Sequence, residues 1–350
     1  MGSAAAWALA GRGAQVDVFE QQGATQRRGS SHGETRGIRL AYEDPEYASW
    51  AEEALRAWRA FEVECGEDLV TMTGGLDVGV PDAASFQATV ATLHSLGLAY
   101  EELSALEVGK RWPGMTLPLS WYAVYQPDAG LIAADRALAA FRRRAEAGGA
   151  TFHVHTAVRA LGDLNAEAGY DGLVCAAGPW TATVPGVREL WGDAGNLRAL
   201  ACEPLTVGLA DGPAHMPLYF VHPGGEWSDG VYVQPQASGP GGEARIKVGR
   251  HGGLAVSSPD ALAHDAVIED HAALVARAAT VVPALEQSQR TISSERCFYT
   301  MTPDERFHIS AVPGAPTPTV IAAGFSGHGF KFAPVVGLRI ADLVASSLVI

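Results

Sequence analysis

Within its first 20 residues the chain runs Gly2, Ala6, Leu9-Ala10, Gly13, Val16, Val18, Glu20, small and apolar residues at helical spacing followed by a short alternating strand that ends in a carboxylate. A glycine at the start of such a helix lets it sit tightly on a sheet, and an acidic residue closing the next strand can hydrogen-bond ribose hydroxyls. Gly2 and Glu20 therefore fit the second half of a dinucleotide-binding β-α-β unit of the Rossmann type. That fingerprint also needs an upstream strand ending in Gly-x-Gly. The sequence starts one residue before the third glycine, so a longer natural chain supplying that strand is expected. Taken alone, the segment is better read as an ordinary amphipathic helix and strand; the downstream segments give it meaning.

With 350 residues, 47% of them apolar and 18% charged, the chain can bury a sizeable core divided between two units. A net charge of −14 repels nucleic-acid phosphates and anionic lipid, and the basic runs Arg27-Arg28 and Arg142-Arg143-Arg144 are too short to reverse it. No nucleic-acid or membrane partner is expected, and an anionic substrate would need locally placed cations. No apolar run is long enough to span a bilayer and no secretory leader is visible, so a cytoplasmic location is expected. Cys65, Cys175, Cys202 and Cys297 have no paired spacing, which indicates neither a metal site nor a disulfide framework.

Helical periodicity covers 46–63, 82–96 and 134–148, a helix ends at the Trp112-Pro113-Gly114 stop, and further helices are expected over 260–279 and at the C-terminal end. Alternation marks strands at 74–80, 151–158, 292–300 and 319–323, and a short buried strand at 173–177 runs into Gly178-Pro179-Trp180. From 198 to 252 the pattern is strand and turn, with Pro-Gly punctuation at 223–225 and 239–242, which predicts a mostly antiparallel sheet. The fold class is α/β: a dinucleotide-binding domain interleaved with an α+β substrate domain. Its expected division is 1–75, 141–195 and 291–350 for the former and 76–140 and 196–290 for the latter.

Five segments, in order along nearly the whole chain, carry a specific resemblance. They are Ser31-His32-Gly33-Glu34-Thr35-Arg36-Gly37-Ile38-Arg39, Lys110 to Gly114, Ile246-Lys247-Val248-Gly249-Arg250-His251, Cys297-Phe298-Tyr299-Thr300 with Pro303-Asp304-Glu305, and Gly324 to Phe332. Together they resemble the monomeric sarcosine oxidase and N-methyltryptophan oxidase family, within the D-amino acid oxidase-like flavoproteins.

The resemblance implies FAD as cofactor, joined through its 8α-methyl carbon to Cys297. A thiolate suits that electrophilic carbon, and Arg296 is expected to help ionise it; without its flanking match Cys297 would read as a small core residue. Arg39 and Lys331 match the pair that holds the substrate carboxylate, a donor set suited to a desolvated anion. Lys247 matches the lysine at which oxygen is reduced. His251 and His32 match active-site histidines, although an isolated histidine is as often structural, and Tyr299 and Tyr232 are expected to line the substrate pocket. Thr35 and Arg36 are placed beside the flavin ring, Val158 at the adenine, and Gly178, Trp180, Gly324, Gly327, His328 and Gly329 along the cofactor.

Three departures bear on specificity: Ser31 replaces one of the family's paired histidines, Glu34 replaces its usual aspartate, and the 236–245 loop looks longer. The expected activity is oxidation of a secondary amino acid, sarcosine or another N-methyl amino acid, by a monomer that passes electrons to O2 and releases hydrogen peroxide. The alternatives left open are a dehydrogenase of the same fold and a remnant that no longer holds FAD.

Overall fold

Asp44-Pro45 opens the longest helix, Pro45–Cys65: the Asp44 carboxylate accepts from the Glu46 N–H, and Gly66 closes the helix in the left-handed conformation. Its buried face, which includes Ala51, Ala54, Trp58 and Phe61, faces the core. The computed structural model describes all residues except 166–167, 210–214, 224–229, 240–242, 264–265, 288–289 and 349–350. The expected turns at 224–225 and 240–242, and part of the 236–245 loop, thus lie outside the described residues.

The opening helix, Gly2–Ala10, buries Ala4, Ala5, Ala6, Ala8 and Ala10 between helix Ala134–Ala147 and the closing helix Ala333–Leu348. Only small residues permit this approach. A Cβ on Gly337 would lie 2.5 Å from the Ala4 carbonyl oxygen, so an alanine there would push the two helices apart.

After this helix, strand Asp17–Glu20 pairs in parallel with Thr151–Val154. A second parallel pair joins Leu173–Cys175 to Thr319–Ala323, which is flanked in turn by antiparallel His308–Ala311. Parallel strands with helices packed against them agree with the expected α/β reading. Residues of both Asp17–Glu20 and Leu173–Cys175 line one large central cavity.

An eight-stranded sheet forms the other layer. Its order is Arg290–Ser294, Leu205–Leu209, Ala244–His251, Gly230–Gln236, Leu218–Val221, Gly75–Gly79, Tyr122–Gln126, Glu101–Ser104. Every ladder is antiparallel except Leu218–Val221 on Gly75–Gly79. Leu76, Tyr219, Val231 and Val248 form its core with Leu274 and Ala278 of helix His271–Ala279. A three-stranded sheet places Arg198–Cys202 between Leu254–Val256 and Cys297–Met301. Another joins Thr35–Ile38, Gly130–Ala133 and Val70–Met72.

Several expected elements are shorter than their patterns. The 260–279 helix is confined to His271–Ala279, because Asp270 caps it by accepting from the Ala273 N–H and the segment before it begins with a short 3-10 turn at Pro259–Ala261. The 151–158 strand stops at Val154, where His155 turns to φ +56°. The 292–300 strand is two strands, divided at Glu295-Arg296, that join different sheets.

Candidate active site

The central cavity has a volume of about 2340 Å³, several times that of a small-ligand pocket. Its lining includes Gly2, Glu20, Val158, Gly178 and Trp180, and also Cys297, Lys247, Arg36, Tyr299 and Tyr232. The cavity also reaches Arg39, Lys331, His251, Gly327, His328 and Gly329. Three expected residues do not line it. His32 is buried behind Arg36 with Nδ1 unpartnered among the described residues, Thr35 turns its hydroxyl to Gln234, and Gly324 packs against Thr302.

The residues present fit a dinucleotide. The opening helix begins in this cavity with no side chain capping its first N–H groups and no acidic residue in its first turn, which suits a pyrophosphate. Gly178 has φ +56° and open space where a Cβ would stand. The Cys297 thiol lines the same cavity.

Cys297 begins its strand opposite Cys202, and the two sulfurs lie 3.1 Å apart. Donation from the Cys202 S–H lowers the Cys297 pKa; burial opposes this, and the positive charges of Arg36 and Lys247 add to it. Cys202 is pushed up by the same contact and by burial. The leading cations are thus Arg36 and Lys247 rather than the expected Arg296, whose guanidinium bonds to the Ala263 and Ala266 carbonyls.

Lys247 projects from the third strand of the eight-stranded sheet, 5% exposed, and donates to the Thr35 carbonyl at 3.4 Å. Burial first and Arg36 second lower its pKa to about 8. Arg36 is held rigid by the carbonyls of Ser30, His32 and Thr35. Glu34 is taken up on the other side by a two-pronged pair with Arg245.

Arg39 and Lys331 meet at Tyr42. Lys331 donates to the Tyr42 hydroxyl at 2.6 Å, and the Arg39 guanidinium lies 5.5 Å from the Tyr42 ring and 4.7 Å from that of Phe220. Burial, then the Arg39 charge, lowers the Lys331 pKa well below the ordinary range. Arg39 carries its own counter-ion, Asp77, which is 1% exposed, lies 2.8 Å from Arg39 and accepts from His222 at 3.0 Å. His328, desolvated between Tyr42 and Phe307, is held neutral.

Tyr299 lies against His251, ring centroids 5.6 Å apart, and against the backbone of Gly327. Gly327 has φ +78°, and a Cβ there would fall 2.5 Å from the Tyr299 ring. Its conformation and its closeness both require glycine. This crowding is internal to the protein.

Asp77, His222, Phe220 and Cys202 were not singled out from the sequence. One signal was legible: Gly75-Leu76-Asp77-Val78-Gly79 sets a single carboxylate in an apolar strand, and a buried carboxylate needs a cation.

The family described as DAO, FAD dependent oxidoreductase, matches residues 1–343. Monomeric sarcosine oxidase of Streptomyces avermitilis is 31% identical over 98% of this chain and 90% of its own. N-methyl-L-tryptophan oxidase of Salmonella typhi is 27% identical over 98% and 91%. Among solved structures, NikD, an amino acid oxidase of nikkomycin biosynthesis, superposes with a TM-score of 0.80 at 24% identity, covering 98% of this chain and 90% of its own, a likeness of fold.

Proposed function

The chain belongs to the DAO family of FAD-dependent oxidoreductases, and from that premise we propose that it oxidises the C–N bond of small secondary amino acids, N-methyl amino acids foremost. The observation that carries this reading is the meeting of Arg39 and Lys331 at Tyr42 in the cavity whose wall also bears Lys247 and Cys297. When bound, FAD would accept one hydride, which carries two electrons, and O2 would take those two electrons onward as hydrogen peroxide.

The protein's part is placement. Arg39 and Lys331 receive the substrate carboxylate, and Tyr42 fixes the lysine's direction. Phe220, Tyr299, Tyr232 and His251 exclude water and shape the space beside it, so that orientation supplies much of the rate. Lys247 holds a buried positive charge where oxygen is reduced. Cys297 is the covalent anchor for FAD, and Glu20, Val158, Gly178, Trp180 and the first turn after Gly2 hold the nucleotide end. His328 and Gly329 border the same wall, and Thr35, Gly324 and His32 support it from behind. An interleaved division into a dinucleotide-binding and a substrate domain is part of this reading. The relatives called monomeric support a monomer, and among the described residues no helix is long and apolar enough to cross a membrane; we take the cytoplasm as its location.

Purified, FAD-loaded protein should be bleached by sarcosine without air and should release peroxide with it. A visible spectrum untouched by any secondary amino acid would overturn the assignment, while bleaching without peroxide under air would make it a carrier-linked dehydrogenase. Acid precipitation should leave flavin on the protein, but not on Cys297→Ser.

A further inference from the structure

Cys202 has no part in the proposed amine oxidation, yet it is placed for a reaction of its own. It closes strand Arg198–Cys202 directly opposite Cys297, the first residue of Cys297–Met301. Opposed antiparallel residues have Cα atoms about 4.5 or about 5.5 Å apart, and both values lie within the about 4.4–6.8 Å that a disulfide spans. The sulfurs, 3.1 Å apart, need approach by only about 1 Å to reach the bonded distance. Cys65 lies on a helix and Cys175 on another sheet, so neither competes for this partner.

The two thiols are not equivalent. Cys297 lines the cavity and Cys202 does not, so a small oxidant arriving through the cavity meets Cys297 first. The Cys202 S–H, Arg36 and Lys247 all favour the Cys297 thiolate, whereas Cys202 stays protonated. Attacking and resolving roles are thereby divided.

We propose that Cys202 and Cys297 form a peroxide-sensitive dithiol, closing to a disulfide in the flavin-free protein so that only the reduced pair can capture the cofactor. The Cys297 thiolate attacks one peroxide oxygen, the O–O bond breaks, and hydroxide leaves a sulfenic acid on Cys297. The Cys202 sulfur then attacks the sulfenic sulfur, the S–O bond breaks, and water departs. Two thiols and one hydrogen peroxide become one disulfide and two waters. The disulfide rests on the geometry of the pair alone; its effect on cofactor capture rests on the proposed role of Cys297 as anchor.

The test uses the full chain from riboflavin-limited cells, reduced, exposed to hydrogen peroxide, and then denatured in an alkylating agent. Peptide mapping should show a Cys202–Cys297 cross-link that dithiothreitol reverses, with Cys65 and Cys175 alkylated. With dimedone added alongside the peroxide, Cys202→Ala should give instead a dimedone adduct on Cys297, which the wild-type chain should not. Four alkylated cysteines after peroxide, or a dimedone adduct on Cys297 of the wild-type chain with Cys202 free, would overturn the proposal. In a second arm FAD is added: the reduced chain should acquire acid-stable flavin, the oxidised chain none, and dithiothreitol should restore uptake. Equal uptake by both would refute the gating of capture. Cross-linking together with no acid-stable flavin on the reduced chain would remove Cys297 as anchor and leave the dithiol standing.

Discussion

Replacing Lys247 by methionine should make the flavin-free protein more stable at neutral pH and less stable in alkali. Lys247 titrates at about 8 in the folded protein against an ordinary value of 10.5, a difference that at about 1.4 kcal/mol per pH unit comes to about 3 kcal/mol. The sign comes from proton counting. Below pH 8 the lysine is charged in both states, and the fold bears the whole cost of burying the cation. Between about 8 and 10.5 the folded state has released its proton and the unfolded state has not, so stability rises with pH through that window. Methionine abolishes the cost but also removes the hydrogen bond from Lys247 to the Thr35 carbonyl, which keeps Arg36 as its other donor, a loss of about 1 kcal/mol. The variant should therefore be about 2 kcal/mol more stable at pH 7 and about 1 kcal/mol less stable above pH 10.5. Urea unfolding followed by tryptophan fluorescence from pH 7 to 10.5 reads the difference, and other titrating groups cancel between the two proteins. A difference that does not change with pH, or a methionine variant less stable at pH 7, would refute the reasoning. The same arithmetic bears on function: at pH 7 about nine in ten molecules keep the buried charge on Lys247, so the fold carries its cost where the proposed oxygen reaction uses it.

Three further outcomes are expected. Binding of a carboxylate ligand such as acetate should draw a proton onto Lys331, seen by calorimetry in buffers of different ionisation enthalpy; equal uptake by Lys331→Met would assign the proton elsewhere. Gly327→Ala, which meets both a positive φ and the Tyr299 ring, should cost about 2 kcal/mol or more in thermal or urea unfolding. Gly13→Ala, with φ +84° and no neighbour within 4 Å, should cost only about 1 kcal/mol, and equal losses would show that the ring contact yields freely. Asp77→Asn should lower stability by about 3 kcal/mol because Arg39 and His222 both depend on that buried carboxylate; an unchanged unfolding midpoint would show the pair to be energetically idle.

Local regularities account for what the sequence made legible. Alternation over 198–252 gave the antiparallel layer, and apolar residues at helical spacing over 46–63 gave the body of the longest helix, because each pattern is set by neighbours in the chain. Arg39, Lys247, Cys297 and Lys331 could be picked out because each sits within a short distinctive run. Their partners could not. Phe220 stands beside Asp77 only because Leu218–Val221 pairs in parallel with Gly75–Gly79, and Cys202 meets Cys297 across 95 residues by antiparallel register. Strand order between distant segments has no local signature, so the counter-ion of Arg39 and the second thiol became visible only in three dimensions.

That hidden counter-ion changes how the two cations divide the proposed work. Arg39 and Asp77 together are close to neutral, and the guanidinium is held in direction by the Ala41 carbonyl and the rings of Phe220 and Tyr42. Among the described residues no carboxylate pairs directly with Lys331; it faces Tyr42, and burial and the Arg39 charge depress its protonation, with Asp77 opposing them only weakly. An arriving carboxylate therefore meets fixed geometry at Arg39 and a charge at Lys331 that its own approach restores. Arg39→Lys should accordingly damage kcat by losing direction, whereas Lys331→Met should weaken binding most at low pH, where wild-type Lys331 can be charged. If both variants instead showed the same KM increase with the same pH profile, the two cations would be acting as one undivided charge, and Asp77 would have no bearing on which of them recognises the ligand.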